Sequence, residues 1–502
     1  MKRKAVSVVM TMILLAAGTL AGQTITLSKK TGSPTAALTV SGTGFAAKAA
    51  IDIYFDTTDE VLVIASSTGA FTAAPVTVPA TALPGSHWIS AVQRSTGTGV
   101  QVAFSVNTNW SEGGFGPRRR SSNTYENVLS PATVGNLDRV WNFPLNNYAG
   151  DAAVVNGVAY FGSDDTNVYA VNTTTGAKLW SFKTGGSVED TPNVANGIVY
   201  VGSGDGNFYA LNATTGAKVW SFTPPPPAAA IQTSAIVVNG LVMFGSVNHT
   251  FYALNATTGA LVWSFPTGGV IIDSPAAAGG VVYFGSDDNN FYALNAATGA
   301  KLWSVTTGGA IQYSPVIGNG VVYFGSGDGN FYALNSTTGA TLWTYAGSNV
   351  YVSAFANNTV FIGSNSNLIA LNPSNGATIW NDAFTSAAVQ SLSVANGVVY
   401  TANFDTVYAL NASNGQQLWT YTVGGFDSSS PAIANGQVFI SSFNTGVYAF
   451  ALPTAAAAKP PKPPAIRDLR PDLSLKPWCP TCDVSGMGRS YVPGDAMTGK
   501  MI

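Results

Sequence analysis

Apolar residues alternate with small and polar residues in a phrase that returns about every 40 residues between residues 140 and 450. One copy reads Asn207-Phe-Tyr-Ala-Leu-Asn-Ala-Thr-Thr-Gly-Ala-Lys-Val-Trp220. Other copies end 37 to 43 residues apart, at Trp180, Trp263, Trp303, Trp343, Trp380 and Trp419. A repeat of this length indicates supersecondary units that bury their apolar faces only by packing against neighbouring units.

Each repeat contains four short runs that predict β-strands. In one unit they are Ser314-Pro-Val-Ile317, Val321-Val-Tyr-Phe-Gly-Ser326, Asn330-Phe-Tyr-Ala-Leu-Asn335 and Thr341-Leu-Trp-Thr-Tyr345. The runs are rich in Val, Tyr and Phe and are bounded by Gly, Asn and Asp, which favours strands over helices. The pair Asp328-Gly329 is typical of a tight hairpin. Four antiparallel strands in about 40 residues predict the blade of a β-propeller.

The number of blades follows from the second strand, which occurs eight times. Its copies begin near Val158, Ile198, Leu241, Val281, Val321, Thr359, Val398 and Gln437. The tryptophan-bearing strand follows only seven of these copies, whereas Trp141 precedes the first blade. We therefore predict that Arg139-Val-Trp-Asn-Phe143 pairs with residues 447–450 and completes the eighth blade. Such closure leaves only short, protected sheet edges.

The first residues predict export. Lys2, Arg3 and Lys4 precede an apolar stretch over residues 5–17, and small residues follow, which is typical of a secretory signal peptide over residues 1–22. The apolar stretch is too short to span a membrane, and no later run predicts a transmembrane segment. The expected location is therefore periplasmic, cell-surface or extracellular.

Composition narrows the range of partners. Only 9% of the residues are charged and the net charge is -2, so no basic face is available for nucleic acid. The basic run at Arg118, Arg119 and Arg120 lies in glycine-rich sequence and is interpreted as a solvated loop. The only cysteines, Cys479 and Cys482, predict a disulfide in the tail or an incidental pair.

The segments that flank the repeats have their own patterns. Short strand signals between residues 24 and 106, such as Ile51-Asp-Ile-Tyr-Phe55 and Trp88-Ile-Ser-Ala-Val92, predict a small β-sandwich. Their order resembles the immunoglobulin-like domains appended to bacterial surface proteins. The predicted organisation is a signal peptide (1–22), this sandwich (24–106), a linker that packs on the next domain (107–138), the propeller (139–452), a proline-rich linker (453–464) and a poorly ordered tail (465–502).

The phrase Ala-Leu-Asn-x-x-Thr-Gly-x-x-x-Trp resembles the tryptophan-docking repeat of the pyrroloquinoline-quinone-type propellers. In that family the Trp of one blade packs against its neighbours, and the Gly permits the close approach. The resemblance implies structural docking roles for Trp141, Trp180, Trp220, Trp263, Trp303, Trp343, Trp380 and Trp419, and for Gly176, Gly216, Gly259, Gly299, Gly339, Gly376 and Gly415.

The resemblance also implies two candidate functions. One is dehydrogenation with the quinone and a calcium ion at the centre of the ring. The other is non-catalytic scaffolding, as in the lipoprotein of the outer-membrane β-barrel assembly machine. Oxygen ligands for calcium could come from acids that precede the inner strands, namely Asp151, Glu189, Asp190, Asp273 and Asp427.

The simpler interpretation is that these acids belong to loops beside tight turns. The hairpin acids Asp164, Asp165, Asp205, Asp287, Asp288 and Asp328 are likewise explained by turn geometry. The cysteine pair that quinone dehydrogenases place against the cofactor is missing. His87 and His249 are the only histidines, and neither lies beside a nucleophile.

The sequence therefore predicts an exported, non-enzymatic binding or scaffold protein with protein or glycan partners. No catalytic, cofactor-binding or metal-binding residue is predicted. A quinone-dependent oxidoreductase and a structural or adhesive surface protein remain as alternatives.

Overall fold

A computed structural model of the chain describes residues 22–226, 229–347, 350–383, 389, 391–427, 429–453 and 462–478. These residues form two compact units. Within the described residues, the first unit contains 22–79, 86–105 and 462–478, and the second contains 80–85 and 106–453. The predicted signal peptide, apart from Gly22, lies outside the described residues, as do Cys479 and Cys482. No helix in the described part of the chain is long and apolar enough to cross a membrane.

The first unit consists of two sheets. The three-stranded sheet has the order Thr24–Leu27, Ala37–Thr43 and Phe71–Thr77. The six-stranded sheet has the order Thr31–Gly32, Thr98–Val106, Gly85–Gln93, Ala50–Phe55, Thr58–Ile64 and Pro477–Trp478. Val40, Ile53 and Ile89 are among the fully buried side chains of the unit. The immunoglobulin-like character of this unit stays a prediction.

Residues 465–478 differ from the poorly ordered tail that the sequence predicts. A short 3₁₀ helix at Ile466–Asp468 is followed by Leu469, which is buried against the first unit. Pro477–Trp478 then pairs in parallel with Leu62 and Val63. Two contacts explain this order: burial of Leu469 removes apolar surface from water, and pairing with the edge strand Thr58–Ile64 gives both segments backbone hydrogen-bond partners.

The second unit contains eight repeat sheets among its described residues, and we number them as blades in chain order. Blade 1 is Ala153–Val155, Val158–Gly162, Asn167–Asn172 and Lys178–Lys183; blade 2 is Asn193–Ala195, Ile198–Gly202, Phe208–Asn212 and Lys218–Phe222; blade 3 is Ile236–Val238, Leu241–Ser246, Thr250–Asn255 and Leu261–Pro266; blade 4 is Ala276–Ala278, Val281–Gly285, Asn290–Asn295 and Lys301–Thr306.

Blade 5 is Val316–Gly318, Val321–Gly325, Asn330–Asn335 and Thr341–Ala346; blade 6 is Val350–Ala356, Thr359–Ser364, Asn367–Leu371 and Thr378–Ala383; blade 7 is Ser393–Ala395, Val398–Asn411 and Gln417–Asp427; blade 8 is Ala432–Ala434, Gln437–Ser442, Gly446–Ala451 and Asp138–Phe143. Blade 7 also gains the short strand Ser122–Asn123, which is parallel to its first strand. A 3₁₀ helix at Val134–Asn136 precedes the strand that completes blade 8. The all-β architecture with an eight-bladed propeller is confirmed.

The predicted closure of the ring is confirmed. Strand Asp138–Phe143 is antiparallel to Gly446–Ala451, with Phe143 opposite Val447 and a bulge at Val140. The first and last parts of the propeller sequence therefore share one sheet.

Turns and aromatic contacts explain why each repeat folds in this way. Asn319 and Gly320, between the first two strands of blade 5, both have positive φ, at 50° and 78°. Two left-handed residues match the twist of a two-residue hairpin, and Asn and Gly adopt this conformation at low cost. Between blades 4 and 5, the ring of Phe291 stacks on that of Phe324 with centroids 4.0 Å apart. Such stacking adds to the apolar burial that holds neighbouring blades together.

Candidate functional site

The first strands of the blades contact one another around the ring and line a central channel. Their channel-facing backbone groups have no further strand of their own blade to bond with. A backbone group that is buried without a partner is unfavourable, so these groups need partners from elsewhere in the chain.

A segment over residues 108–123, which we call the strap, supplies many of these partners. In the first strand of six blades, a backbone N–H donates to a strap carbonyl; the pairs are Val154 to Trp110, Val194 to Ser111, Ala277 to Pro117, Ile317 to Arg118, Phe355 to Arg120 and Val394 to Ser121. The strap also bonds to blade 8, where the Asn123 side chain donates to the Ile433 carbonyl at 2.7 Å. The predicted linker therefore runs around the inside of the channel.

The structure corrects the interpretation of the arginine run as a solvated loop. Arg118 is exposed, but Arg120 donates from Nε to the Ile317 carbonyl at 3.1 Å. Arg119 lies in the channel, and its backbone has a φ of 46°. Gly114 faces it so closely that an added Cβ would lie 3.0 Å from the Arg119 Cβ. The glycine-rich sequence thus provides room for a sharp turn that directs Arg119 inward.

Arg119 shares a cavity of about 520 Å³ with four acids that the sequence analysis placed before inner strands. These acids are Asp151, Glu189, Asp190 and Asp273. The fifth predicted acid, Asp427, ends a strand of blade 7 and has Phe404 as its backbone partner. The side chain of Asp427 lies outside the described atoms.

Burial changes the protonation of these groups. Burial raises the pKa values of Asp190 and Asp273 well above the ordinary aspartate value, although the charge of Arg119 opposes the shift. Burial raises the pKa of Asp151 to about 6, opposed mainly by hydrogen bonds from Ser430. Burial also lowers the pKa of Arg119, and the nearby carboxylates resist this change. The cavity therefore combines one cation with carboxyl groups that ionise reluctantly.

Glu112, on the strap, is a further buried acid that the sequence analysis did not single out. Its side chain is 3% exposed and accepts a hydrogen bond from the Asn193 amide. Burial raises its pKa to about 8, against the opposing effects of Arg119 and Asn193.

Three buried polar atoms of the cavity residues have no hydrogen-bond partner. They are Arg119 Nη1, Asp190 Oδ2 and Asp273 Oδ1. Asp273 is only 2% exposed, and its other oxygen accepts the Gly285 N–H at 2.8 Å. Unpaired polar groups of this kind are uncommon in folded proteins and call for an explanation.

Hydroxyl groups line the cavity at one equivalent position in several blades. Thr191, Ser234, Ser274, Ser314 and Ser430 occupy this position, and Asp151 occupies it in blade 1. Backbone bonds link successive members, because Ser234 N–H donates to Ser274 Oγ at 2.9 Å and Ser274 N–H to Ser314 Oγ at 3.1 Å. We call this set the hydroxyl ring. Its sequence signal is a Ser or Thr that recurs just before the first strand.

The structure places the repeated tryptophans at the junctions between blades. Each of the seven repeat glycines has a φ between 70° and 76°, and an added Cβ would lie 2.7–3.0 Å from the indole of the preceding blade. The pairs are Trp141 with Gly176, Trp180 with Gly216, Trp220 with Gly259, Trp263 with Gly299, Trp303 with Gly339, Trp343 with Gly376 and Trp380 with Gly415. In the same order, each indole N–H donates to a carbonyl in the next blade at 2.7–3.3 Å.

The hairpin acids lie in turns and do not line the cavity. Asp205 Oδ1 accepts the Asn207 N–H at 2.8 Å, and Oδ2 accepts from Tyr209 and from the Gly185 N–H, both at 2.7 Å. Burial would raise the pKa of Asp205, but these hydrogen bonds lower it below the ordinary value. Asp288 and Asp328 make the same set of contacts in their blades. Asp165 also accepts from its own hairpin, and Asp164 and Asp287 precede the turn-bonding aspartates.

The residues of the channel do not fit a calcium–quinone site. Among the described residues, no group of three or more His, Cys, Asp or Glu side chains is arranged to hold a metal ion. The guanidinium of Arg119 lies among the acids and would repel a divalent cation. The lining contains no cysteine or histidine.

Comparison with known proteins agrees with the fold. A family profile described as outer membrane protein assembly factor BamB matches residues 132–269 and 247–458. No curated protein sequence matches the chain.

Several solved structures are similar. Quinohemoprotein alcohol dehydrogenase from Comamonas testosteroni has a TM-score of 0.62 at 16% identity, covering 71% of this chain and 82% of that one. BamB from Moraxella catarrhalis has a TM-score of 0.54 at 21% identity, covering 63% and 97%. A europium-containing methanol dehydrogenase has a TM-score of 0.62 at 14% identity, covering 69% and 98%. At these identities the likeness shows the fold alone.

Proposed function

Because the chain belongs to the propeller family described as outer membrane protein assembly factor BamB, we propose that it is a non-enzymatic binding or scaffold protein with protein or glycan partners. It acts in the cell envelope or exterior. The signal-peptide pattern of residues 1–22 and the family's description support this location.

The position of Arg119 is the observation that carries this proposal. Its guanidinium already supplies positive charge to the acids of the channel, which is the role a metal ion would have among them. The strap that holds Arg119 is bonded to the first strands of six blades. A quinone-dependent oxidoreductase would require Arg119 and the strap to be arranged differently in the channel. We therefore rank the oxidoreductase below a non-enzymatic binding role. A structural or adhesive role predicts no specific partner.

Titration with quinone and calcium tests the non-enzymatic part of the proposal. Isothermal titration of the purified protein with pyrroloquinoline quinone plus calcium chloride should give no saturable heat, and dye reduction should stay at background. Micromolar or tighter binding that disappears in Glu189→Gln would make the oxidoreductase the better hypothesis.

Site-specific photo-crosslinking tests the binding part. Gln312, before the first strand of blade 5, and Thr337, in the turn after its third strand, lie at opposite ends of the blade because neighbouring strands are antiparallel. Both are exposed. A photoreactive residue at the partner-binding end should yield a discrete adduct in envelope extracts, and the other position serves as its matched control. Absence of adducts from both positions, or the same unselective adducts from both, would contradict a specific scaffold.

A further inference from the structure

We propose that the central cavity binds a neutral sugar unit, either as a free saccharide or as the end of a glycan. This inference rests on the proposed binding role and names the class of ligand that the channel would take. It is carried by Asp273, by the unpaired atoms that share its cavity and by the balance of charge there.

The equivalent residues of blades 3 and 8 show that the fold does not require a carboxyl group at the position of Asp273. Its Oδ2 accepts the Gly285 N–H of the second strand. In blade 3 the equivalent Thr233 hydroxyl accepts the Gly245 N–H at 3.0 Å, and in blade 8 the Ser429 hydroxyl accepts the Ser441 N–H at 2.8 Å. A hydroxyl therefore suffices for the structural bond. The carboxyl group of Asp273 adds a second oxygen, which is buried without a partner.

The same comparison applies to blade 2, where Asp190 occupies the position of Thr233 and Ser429. Asp190 Oδ2 and Arg119 Nη1 also lack partners, and both residues line the cavity with Asp273. Two carboxyl oxygens and one strong donor thus share one space. A ligand that both donates and accepts hydrogen bonds would satisfy them together, and leaving them unpaired is unfavourable.

The charge of the cavity selects a neutral ligand. Four acids line the cavity with Arg119, and each of them that is ionised would repel an anion. A cation would meet the guanidinium that already neutralises part of their charge. A sugar carries neighbouring hydroxyl groups without net charge, and each hydroxyl both donates and accepts. The hydroxyl ring adds further groups along the cavity wall that can donate and accept hydrogen bonds.

Size and access agree with a saccharide. The cavity volume of about 520 Å³ lies within the range of roughly 300–1,000 Å³ found for small-molecule pockets. Tyr148 and Tyr313 contribute aromatic surface to its lining. Glu189 and Gln312, which also line the cavity, are exposed to solvent. A ligand can therefore reach the cavity at this end.

Calorimetric titration of the full chain with four sugars tests the inference. The four sugars are glucose, N-acetylglucosamine, maltose and N,N′-diacetylchitobiose. Each should be added up to about 10 mM, because this concentration nearly saturates a site with a millimolar Kd, which corresponds to about 4 kcal/mol of binding free energy. At least one should bind at a single site. Asp273→Thr, which installs the residue of blade 3, should weaken that binding by about tenfold or more while keeping the bond to Gly285.

The matched control is Asp287→Gly. Asp287 is in the same blade and also has an unpaired buried oxygen, but it does not line the cavity, and the equivalent residues Gly204 and Gly327 are glycines. Its charge contributes to the raised pKa of Asp273, so this variant changes the charge near Asp273 but removes no group that lines the cavity. It should keep the sugar binding that Asp273→Thr loses. If thermal melting shows that Asp273→Thr is unfolded, Asp190→Ser replaces it with the same expected loss.

Two outcomes would overturn the inference: no heat of binding with any of the four sugars, or binding that Asp273→Thr and Asp190→Ser leave unchanged. A failed sugar titration beside a discrete photo-crosslinked partner would remove the sugar site and leave the scaffold role standing. Saturable quinone binding would instead contradict the proposed function itself.

Discussion

The indole N–H of Trp419 donates a hydrogen bond to the carbonyl oxygen of Leu137 at 3.0 Å. At the other junctions, the indole reaches a carbonyl in the turn that follows the third strand of the next blade, as Trp303 does with Ser336. Blade 8 receives its outer strand from the start of the propeller sequence, so Leu137 takes the place of that turn. The ring is thus closed by the same kind of contact that joins its internal blades.

Removal of a docking indole should destabilise the propeller. We expect Trp303→Ala to lower the free energy of unfolding by about 3–5 kcal/mol, because it leaves a cavity over Gly339 and removes the bond to Ser336. Circular dichroism during thermal and chemical denaturation measures the change. Leu302→Ala is the control, since Leu302 is 51% exposed and its loss should have a much smaller effect. An unchanged melting temperature in Trp303→Ala would assign the indole another role.

The glycine beneath the indole should be equally sensitive. Gly339→Ala combines a side chain at a φ of 73° with a Cβ placed 2.8 Å from the Trp303 ring. Gly320 in the same blade has a φ of 78° but no atom near the added Cβ. We expect about 1–2 kcal/mol of destabilisation for Gly320→Ala from backbone strain alone. Gly339→Ala should lose about 1–3 kcal/mol more through overpacking. If urea denaturation gave the same loss of stability for both variants, the Trp303 ring would move away from the added Cβ with no loss of stability.

Deletion of residues 139–145 should promote aggregation. The deletion removes the partner of Gly446–Ala451, so that strand becomes an open sheet edge. Light scattering after size-exclusion chromatography should show large oligomers that the unmodified chain lacks. The control is Val140→Lys, because Val140 lies at the bulge, is 47% exposed and has no partner in the register. A monodisperse deletion variant would mean that another segment covers the edge.

Glu112 should make stability depend on pH. Its folded-state pKa of about 8 exceeds the ordinary value of 4.5 because of burial, so the folded state keeps a proton that the unfolded state releases. The contribution of Glu112 is therefore complete below pH 4.5 and is lost as the pH rises toward 8. The maximal slope is about 1.4 kcal/mol per pH unit.

Chemical denaturation at several pH values checks this expectation with two variants. Glu112→Gln should weaken the dependence, leaving the part that Asp151, Asp190 and Asp273 contribute. It should become more stable than the unmodified chain as the pH approaches 8, since an amide keeps an oxygen for Asn193. Glu189→Gln, at an exposed position, should follow the unmodified chain. Parallel curves for all three proteins would show that Glu112 ionises in the folded state as it does in the unfolded chain.

The strand pattern of the propeller could be predicted because each repeat carries its own local signals. The apolar runs, the recurring Trp and the Gly before it specify four strands and a junction, and repetition of the pattern supplies the count of eight. The unmatched Trp141 was enough to predict the closing strand. The last repeat lacks its outer strand and the first is preceded by an extra one, so these two could pair only with each other. The sequence favoured an interpretation of the acids before the inner strands as loop acids beside tight turns, whereas four of the five line the channel.

The strap and Arg119 could not be predicted, because nothing local distinguishes a buried arginine from a solvated one in a glycine-rich segment. The burial of Arg119 depends on six first strands that offer N–H groups to residues 110–121 and on acids up to 154 positions away, such as Asp273. The local sequence therefore determined the blades and their order. Only the tertiary structure decided how the channel is filled and which polar groups meet there, since long-range partners set the cost of burying each group.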